Sequence, residues 1–134
     1  MKKINKSAAD WQNILTPKQY RTLREKDTDL PFTGQYTDTE TPGTYICAGC
    51  GHPLFSSNTK YHSGCGWPSF WDILKRGTVE LKEDNSHSLV RTEVVCARCG
   101  GHLGHVFDDG PKDKMGLRYC INSSALNLKP ETNP

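Results

Sequence analysis

The chain has 134 residues, with 17 Lys and Arg against 15 Asp and Glu and a formal net charge of +2. That length suits one domain spanning residues 1–134, with a modest core because only 34% of the residues are apolar. So even a charge balance argues against broad nucleic-acid binding, and no apolar run approaches the roughly 18 residues of a membrane span.

At the N-terminus, Lys2, Lys3 and Lys6 have the charge of a signal-peptide start. Ser7-Ala-Ala-Asp-Trp11 follows in place of an apolar stretch, so no signal is expected and the lysines read as a solvated tail. Ser7 and Thr16 both read as helix caps, the second with Pro17 at the first helical position and Gln19 spaced for a capping box. Ala8, Trp11, Ile14 and Leu15 form one apolar stripe, and Tyr20 with Leu23 a shorter one. Residues up to about 26 are therefore expected as a helical segment packed on a core. Residues 27–43, rich in Asp, Thr, Pro and Gly, read as a long surface connection. Short strands are then predicted at Thr44–Cys47, Pro53–Ser56, Thr78–Lys82, Ser88–Cys96, His105–Asp108 and Leu117–Ser123. The pattern is two short helices followed by a mainly β, mostly antiparallel body.

Six cysteines in a chain without a secretory signal argue against a disulfide framework. Cys47-Ala-Gly-Cys50-Gly51 and Cys96-Ala-Arg-Cys99-Gly100 repeat one local pattern, which reads as two knuckles holding one metal. The glycines permit tight turns whose N–H groups face the thiolates. Four thiolates complete a tetrahedral structural zinc and leave no open position for chemistry. A redox dithiol would be a single copy in a βαβ context, and His102 or His105 is the alternative ligand should one cysteine not bind.

Cys65 and Cys120 remain. In Arg118-Tyr-Cys120-Ile-Asn122, strand alternation puts Arg118, Cys120 and Asn122 on one face and Tyr119 and Ile121 toward the core. A cationic neighbour favours a thiolate, and an amide can orient a polar substrate atom. Cys65 lies between Gly64 and Gly66, in a loop free to move. His102 and His105 supply imidazoles that can give protons or hydrogen bonds. His52, His62 and His87 lack such a setting and read as solvent-facing or structural.

Three segments carry a resemblance: Ser63-Gly-Cys-Gly-Trp-Pro-Ser-Phe70, Gly101-His-Leu-Gly-His-Val-Phe-Asp-Asp-Gly-Pro111 and Gly116-Leu-Arg-Tyr-Cys-Ile-Asn-Ser123. With both C-x-x-C-G pairs, in this order from about Trp11 to Leu126, they resemble the type B methionine sulfoxide reductases. That resemblance implies a body of two small antiparallel sheets clamped by zinc, with N-terminal helices. It implies thiol-dependent reduction of the R epimer of methionine sulfoxide, protein-bound or free. By the same resemblance Cys120 is the nucleophile that becomes a sulfenic acid, and Cys65 the resolving cysteine of a disulfide that thioredoxin reduces. Trp67 would pack on the substrate methyl group. His102, His105 and Asn122 would contact the sulfoxide oxygen, with His105 as proton donor. Arg118 would help ionise Cys120, and Phe107, beside His105, would form a second apolar wall. Residues 112–115 are more polar than the family pattern and are expected at the rim. The expected protein is cytoplasmic and monomeric.

Two rivals frame this reading. A non-catalytic zinc-ribbon binding module explains the four zinc thiolates but not Cys65, Cys120, Trp67 or the histidines. A peroxidase would use Cys120 on hydroperoxides.

Overall fold

The computed structural model describes residues 2–86 and 89–131. His87, and Ser88 at the predicted start of one strand, lie outside the described residues. Both helices begin where their caps require. The Ser7 hydroxyl accepts from the Asp10 N–H to start α1 (Ala8–Ile14), and Thr16 and Gln19 close a reciprocal capping box on α2 (Pro17–Glu25). Trp11, Leu15 and Leu23 are buried, whereas Ile14 is 55% exposed. The first helix stops at Ile14, so Leu15, the last residue of the stripe, is its C-cap.

A three-stranded antiparallel sheet has the order β2 (Pro53–Ser56), β1 (Gly43–Cys47), β9 (Leu126–Pro130). A six-stranded antiparallel sheet has the order β3 (Lys60–Tyr61), β4 (Ser69–Phe70), β8 (Arg118–Ile121), β7 (His102–Phe107), β6 (Arg91–Cys96), β5 (Val79–Asp84). Tyr45 and Phe55 of the smaller sheet meet Phe70 and Tyr119 of the larger. Phe55 stacks on Phe70 at 4.4 Å between centroids, and Tyr45 meets Phe70 edge-on at 5.2 Å. This aromatic layer is the core, and the opposite face of the larger sheet is left for polar side chains.

Three strands go beyond the sequence-based prediction: β3, β4 and β9. The first two have two residues each, too few for any periodicity. β9 carries a readable alternation, Leu126-Asn-Leu-Lys, with Leu126 buried. The segment from 27 to 42 is also less superficial than its composition suggests. Asp29 is buried, and its carboxylate accepts from the Ser124 N–H and hydroxyl. Tyr36 is buried too, its hydroxyl accepting from the Leu128 N–H. The rest of the segment is mostly exposed, and these two buried side chains anchor it as a strap to the fold.

One glycine sets the spacing of the strands that will matter most. A Cβ on Gly104 would fall 2.1 Å from the Cys120 carbonyl oxygen and 3.0 Å from the Ile121 Cα. Gly104→Ala must push β7 away from β8. We expect a loss of about 1–3 kcal/mol, read as a fall of several degrees in a thermal melt. An unchanged melt would mean that the two strands are not held so closely.

Candidate active site and metal centre

Cross-strand register builds the site. Tyr61, Ser69, Cys120, His105, Glu93 and Lys82 are successive Cα partners from β3 to β5, so their side chains form one row across one sheet face. Two residues along, Phe107 pairs with Arg118 on the same face. A cavity of about 230 Å³ opens over this row. Of the eight residues expected to do chemistry or bind substrate, seven line it: Cys65, Trp67, His105, Phe107, Arg118, Cys120 and Asn122. His102 does not line it. Thr28, Arg91 and Gly104 complete the wall, and residues 112–115 contribute nothing to it.

Cys65 and Cys120 bring their sulfurs within 3.6 Å, both half-buried and reduced. Their acidities diverge. Burial first, then the neighbouring Cys65 sulfur, pushes the Cys120 thiol up to about 12, and Arg118 offsets only part of this. Cys65 also feels burial, but hydrogen bonds from Ser63, Ser69 and their neighbours outweigh it and bring the thiol down to about 7. The sequence suggests that Arg118 ionises Cys120. In the fold, the Arg118 guanidinium is shared: Nε and Nη2 donate to the two Asp109 carboxylate oxygens at 2.8 and 3.1 Å, and the group lies 4.4 Å over the Phe107 ring.

Each histidine has a carboxylate that its neighbours in sequence do not reveal. His105 Nε2 sits 2.8 Å from Asp84 Oδ2, which fixes the ring with its other nitrogen unpartnered among the described residues. His102 Nδ1 sits 2.7 Å from Glu93 Oε2, and Glu93 also meets Lys26 Nζ at 3.1 Å. The two imidazole rings are 5.5 Å apart, so His102 backs His105 from beneath the cavity floor. Burial holds the His102 imidazole below its ordinary value, against the pull of Glu93. Asp84 is held well below the usual carboxylate range by the hydrogen bond from His105, then by those from Ser86. Glu93 and Asp84 went unnoticed in the sequence. For Glu93 the available signal was an acidic residue next to the apolar run Val94-Val95-Cys96 of β6, whereas Asp84, the last residue of the charged strand β5, carried none.

Trp67 is fixed by its indole N–H, which donates to the Asp29 carbonyl at 2.9 Å and presents the ring as an apolar wall. Asn122 departs from expectation in its bonding. Its amide oxygen accepts from the Asp29 N–H at 2.9 Å, and its nitrogen donates to the Leu103 carbonyl at 3.1 Å. That amide ties the strap to β7 while closing the cavity.

The four remaining cysteines meet at the other end of the sheet. Cys47 ends β1 and Cys50 lies in the turn after it, and Cys96 ends β6 with Cys99 in its turn, so the cluster ties one sheet to the other. All four sulfurs lie within 4.8 Å of one another, with Cys47–Cys99 at 3.7 Å and Cys50–Cys96 at 3.6 Å. A zinc–sulfur bond of about 2.3 Å in a tetrahedron separates sulfurs by about 3.8 Å, so these residues fit that ion. Backbone N–H groups of His52, Cys99 and Gly101 favour the thiolates of Cys50, Cys96 and Cys99. Trp11 and Leu23 roof the cluster. A Cβ on Gly49 would meet both, and one on Gly101 would lie 2.9 Å from Leu23. His102 and His105 are committed to carboxylates and are not part of the cluster.

Comparison with known proteins places this architecture. The SelR domain family matches residues 15–130. The chain is 56% identical over 128 residues to the peptide methionine sulfoxide reductase MsrB of Leptospira interrogans, covering 96% of this chain and 97% of that protein. It is 54% identical over 130 residues to the protein of that name from Methanosarcina barkeri, covering 97% and 91%. The Acinetobacter baylyi protein of that name is 53% identical over 131 residues, covering 98% and 94%.

Proposed function

The chain belongs to the SelR domain family, that of the type B methionine sulfoxide reductases, and from that membership we propose that it reduces the R epimer of methionine sulfoxide to methionine. The observation that carries the reading is the pair of sulfurs 3.6 Å apart in a cavity that also holds Trp67 and His105. The Trp67 ring suits the substrate methyl group, the only apolar handle beside the reacting sulfur. Cys120 attacks the sulfoxide sulfur. The oxygen, a poor leaving group unless protonated, is met by the other nitrogen of His105, whose ring Asp84 orients. The S–O bond breaks, methionine leaves, and Cys120 carries the oxygen as a sulfenic acid. Cys65 then closes a Cys65–Cys120 disulfide, which thioredoxin reduces. Protein-bound methionine sulfoxide is the natural substrate class, and four thiolates at Cys47, Cys50, Cys96 and Cys99 hold a structural zinc ion. No helix among the described residues is long and apolar enough to cross a membrane. A site of four thiolates suits a reducing compartment such as the cytoplasm, and the active unit in this reading is the monomer.

The experiment mixes fully reduced protein with racemic N-acetylmethionine sulfoxide and no reductant. About one methionine per chain, with only the R epimer consumed and Cys65 joined to Cys120 on mass mapping, is the expected outcome. No methionine from reduced, metal-loaded protein overturns the reading. In the same assay His105→Ala should slow methionine release about 10²–10⁴-fold with little change in melting temperature. A collapsed melt instead would make His105 a structural residue.

A further inference from the structure

Cys65 is surrounded by more oxygen than a simple resolving thiol requires. The Ser63 hydroxyl donates to its sulfur at 3.0 Å, and the Ser69 hydroxyl lies 3.3 Å away. The two hydroxyls are themselves 2.7 Å apart. Ser69 also reaches the Trp67 carbonyl at 3.1 Å, and the Ser63 oxygen accepts from the Cys65 N–H at 3.3 Å. Ser69 is 1% exposed and fixed on β4 as the register partner of Cys120, whereas Ser63 belongs to the loop. A buried, strand-mounted hydroxyl is thus the reference point for a sulfur carried on a loop. That loop turns at Gly64 (φ 82°) and Gly66 (φ 97°), and the Phe32 N–H holds it through the Gly66 carbonyl at 2.7 Å. The Cys65 sulfur is therefore pressed between Ser69 and Cys120. The raised acidity of Cys65 described above has the same origin, because hydrogen bonds donated to the sulfur stabilise a thiolate against burial. Tyr61, His62, Asp109 and Arg118 line the recess on the far side of Cys65, and Cys120 faces it from β8.

We propose that Ser63 and Ser69 are positioning residues for disulfide closure, holding the Cys65 sulfur as a thiolate aimed at Cys120. The inference rests on the reading of Cys65 as the resolving cysteine. In the step they serve, the Cys65 thiolate attacks the sulfenic sulfur of Cys120. The S–S bond forms as the S–O bond breaks, and the oxygen leaves as hydroxide, taking up the proton Cys65 released to give water. Cys65 is oxidised and the Cys120 sulfur reduced, so no outside reagent enters. The hydroxyls touch Cys65 and not the substrate, so their effect falls on the second step.

Ser69→Ala and Ser63→Ala test this. Each is mixed rapidly with excess N-acetylmethionine sulfoxide without reductant, and methionine release and Cys65–Cys120 closure are followed separately by quenching into a sulfenic-acid trap. The ratio of closure rate to release rate should fall about tenfold or more in each variant, with trapped sulfenic acid accumulating on Cys120. In a Cys120→Ser background, the half-maximal pH for Cys65 alkylation should rise by about one unit when either serine is removed. An unchanged ratio with an unmoved alkylation midpoint overturns the proposal. So does an equal fall in both steps, which makes the serines mere structural supports. If Ser69→Ala fails to fold, Ser63→Ala, on the loop, decides alone. If the parent chain releases no methionine, the proposed function falls, and the alkylation series still decides what the hydroxyls do to Cys65.

Discussion

Replacing Cys120 by serine should abolish methionine formation, a loss on the order of 10⁴-fold or more, while leaving the fold intact. The substitution is nearly isosteric at a half-buried strand position, so the melting temperature should move by only a few degrees. Chemistry is lost because a hydroxyl cannot match the nucleophilicity of sulfur or carry the transferred oxygen. The contrast with Cys65→Ser makes the experiment discriminating. That variant should release about one methionine per chain and then stop, with Cys120 left as a sulfenic acid and no recycling by thioredoxin. Cys65 is the natural competitor for the role of nucleophile, because its thiol is brought down to about 7 while that of Cys120 is pushed up to about 12. Acidity in the substrate-free protein does not decide the matter. Cys120 projects from a strand beside His105, its register partner, where attack and proton donation converge on one substrate atom. If Cys120→Ser keeps the methionine burst and Cys65→Ser loses it, the two roles are exchanged.

Stripping the metal is expected to have the second-largest effect, and on stability more than on chemistry. The four-cysteine cluster ties the end of β1 in one sheet to the end of β6 in the other, and Trp11 and Leu23 rest on it. Structural zinc bound by thiolates contributes roughly 10–16 kcal/mol in small domains, comparable to or larger than the stability of a typical fold. A strong chelator should therefore lower the melting temperature by tens of degrees or unfold the chain outright, with loss of the near-ultraviolet circular dichroism of the aromatic layer. Cys96→Ser, at a fully buried ligand, should reproduce this without chelator. Metal content that falls to zero with an unchanged melt would remove the cluster from any structural role. The cavity is lined by other residues, so activity should disappear in step with the fold and not before it.

Reading the chain in order recovers what depends on neighbours. Ser7 and Thr16 cap their helices as their side chains and spacing require, β2 runs from Pro53 to Ser56 as predicted, and Tyr119 and Ile121 are buried beneath the face that carries Cys120. The two C-x-x-C-G knuckles meet at one cluster, as their repetition implies. Residues 27–42 run mostly over the surface, as their polar composition implies, but Asp29 and Tyr36 are buried and reach partners more than ninety positions away.

What the sequence determined by itself was the set of four cysteines that cluster, the helix starts, the faces of the longer strands and the family. All of these are written in spacings of a few residues, where chain geometry leaves one or two outcomes. Tertiary structure alone decided the 3.6 Å approach of Cys65 to Cys120, the carboxylate behind each histidine and the commitment of the Asn122 amide to backbone. It also decided which thiol is the more acidic. These depend on strand register, on a strap anchored by two buried side chains and on burial, quantities summed over residues far apart in the chain that no local pattern encodes.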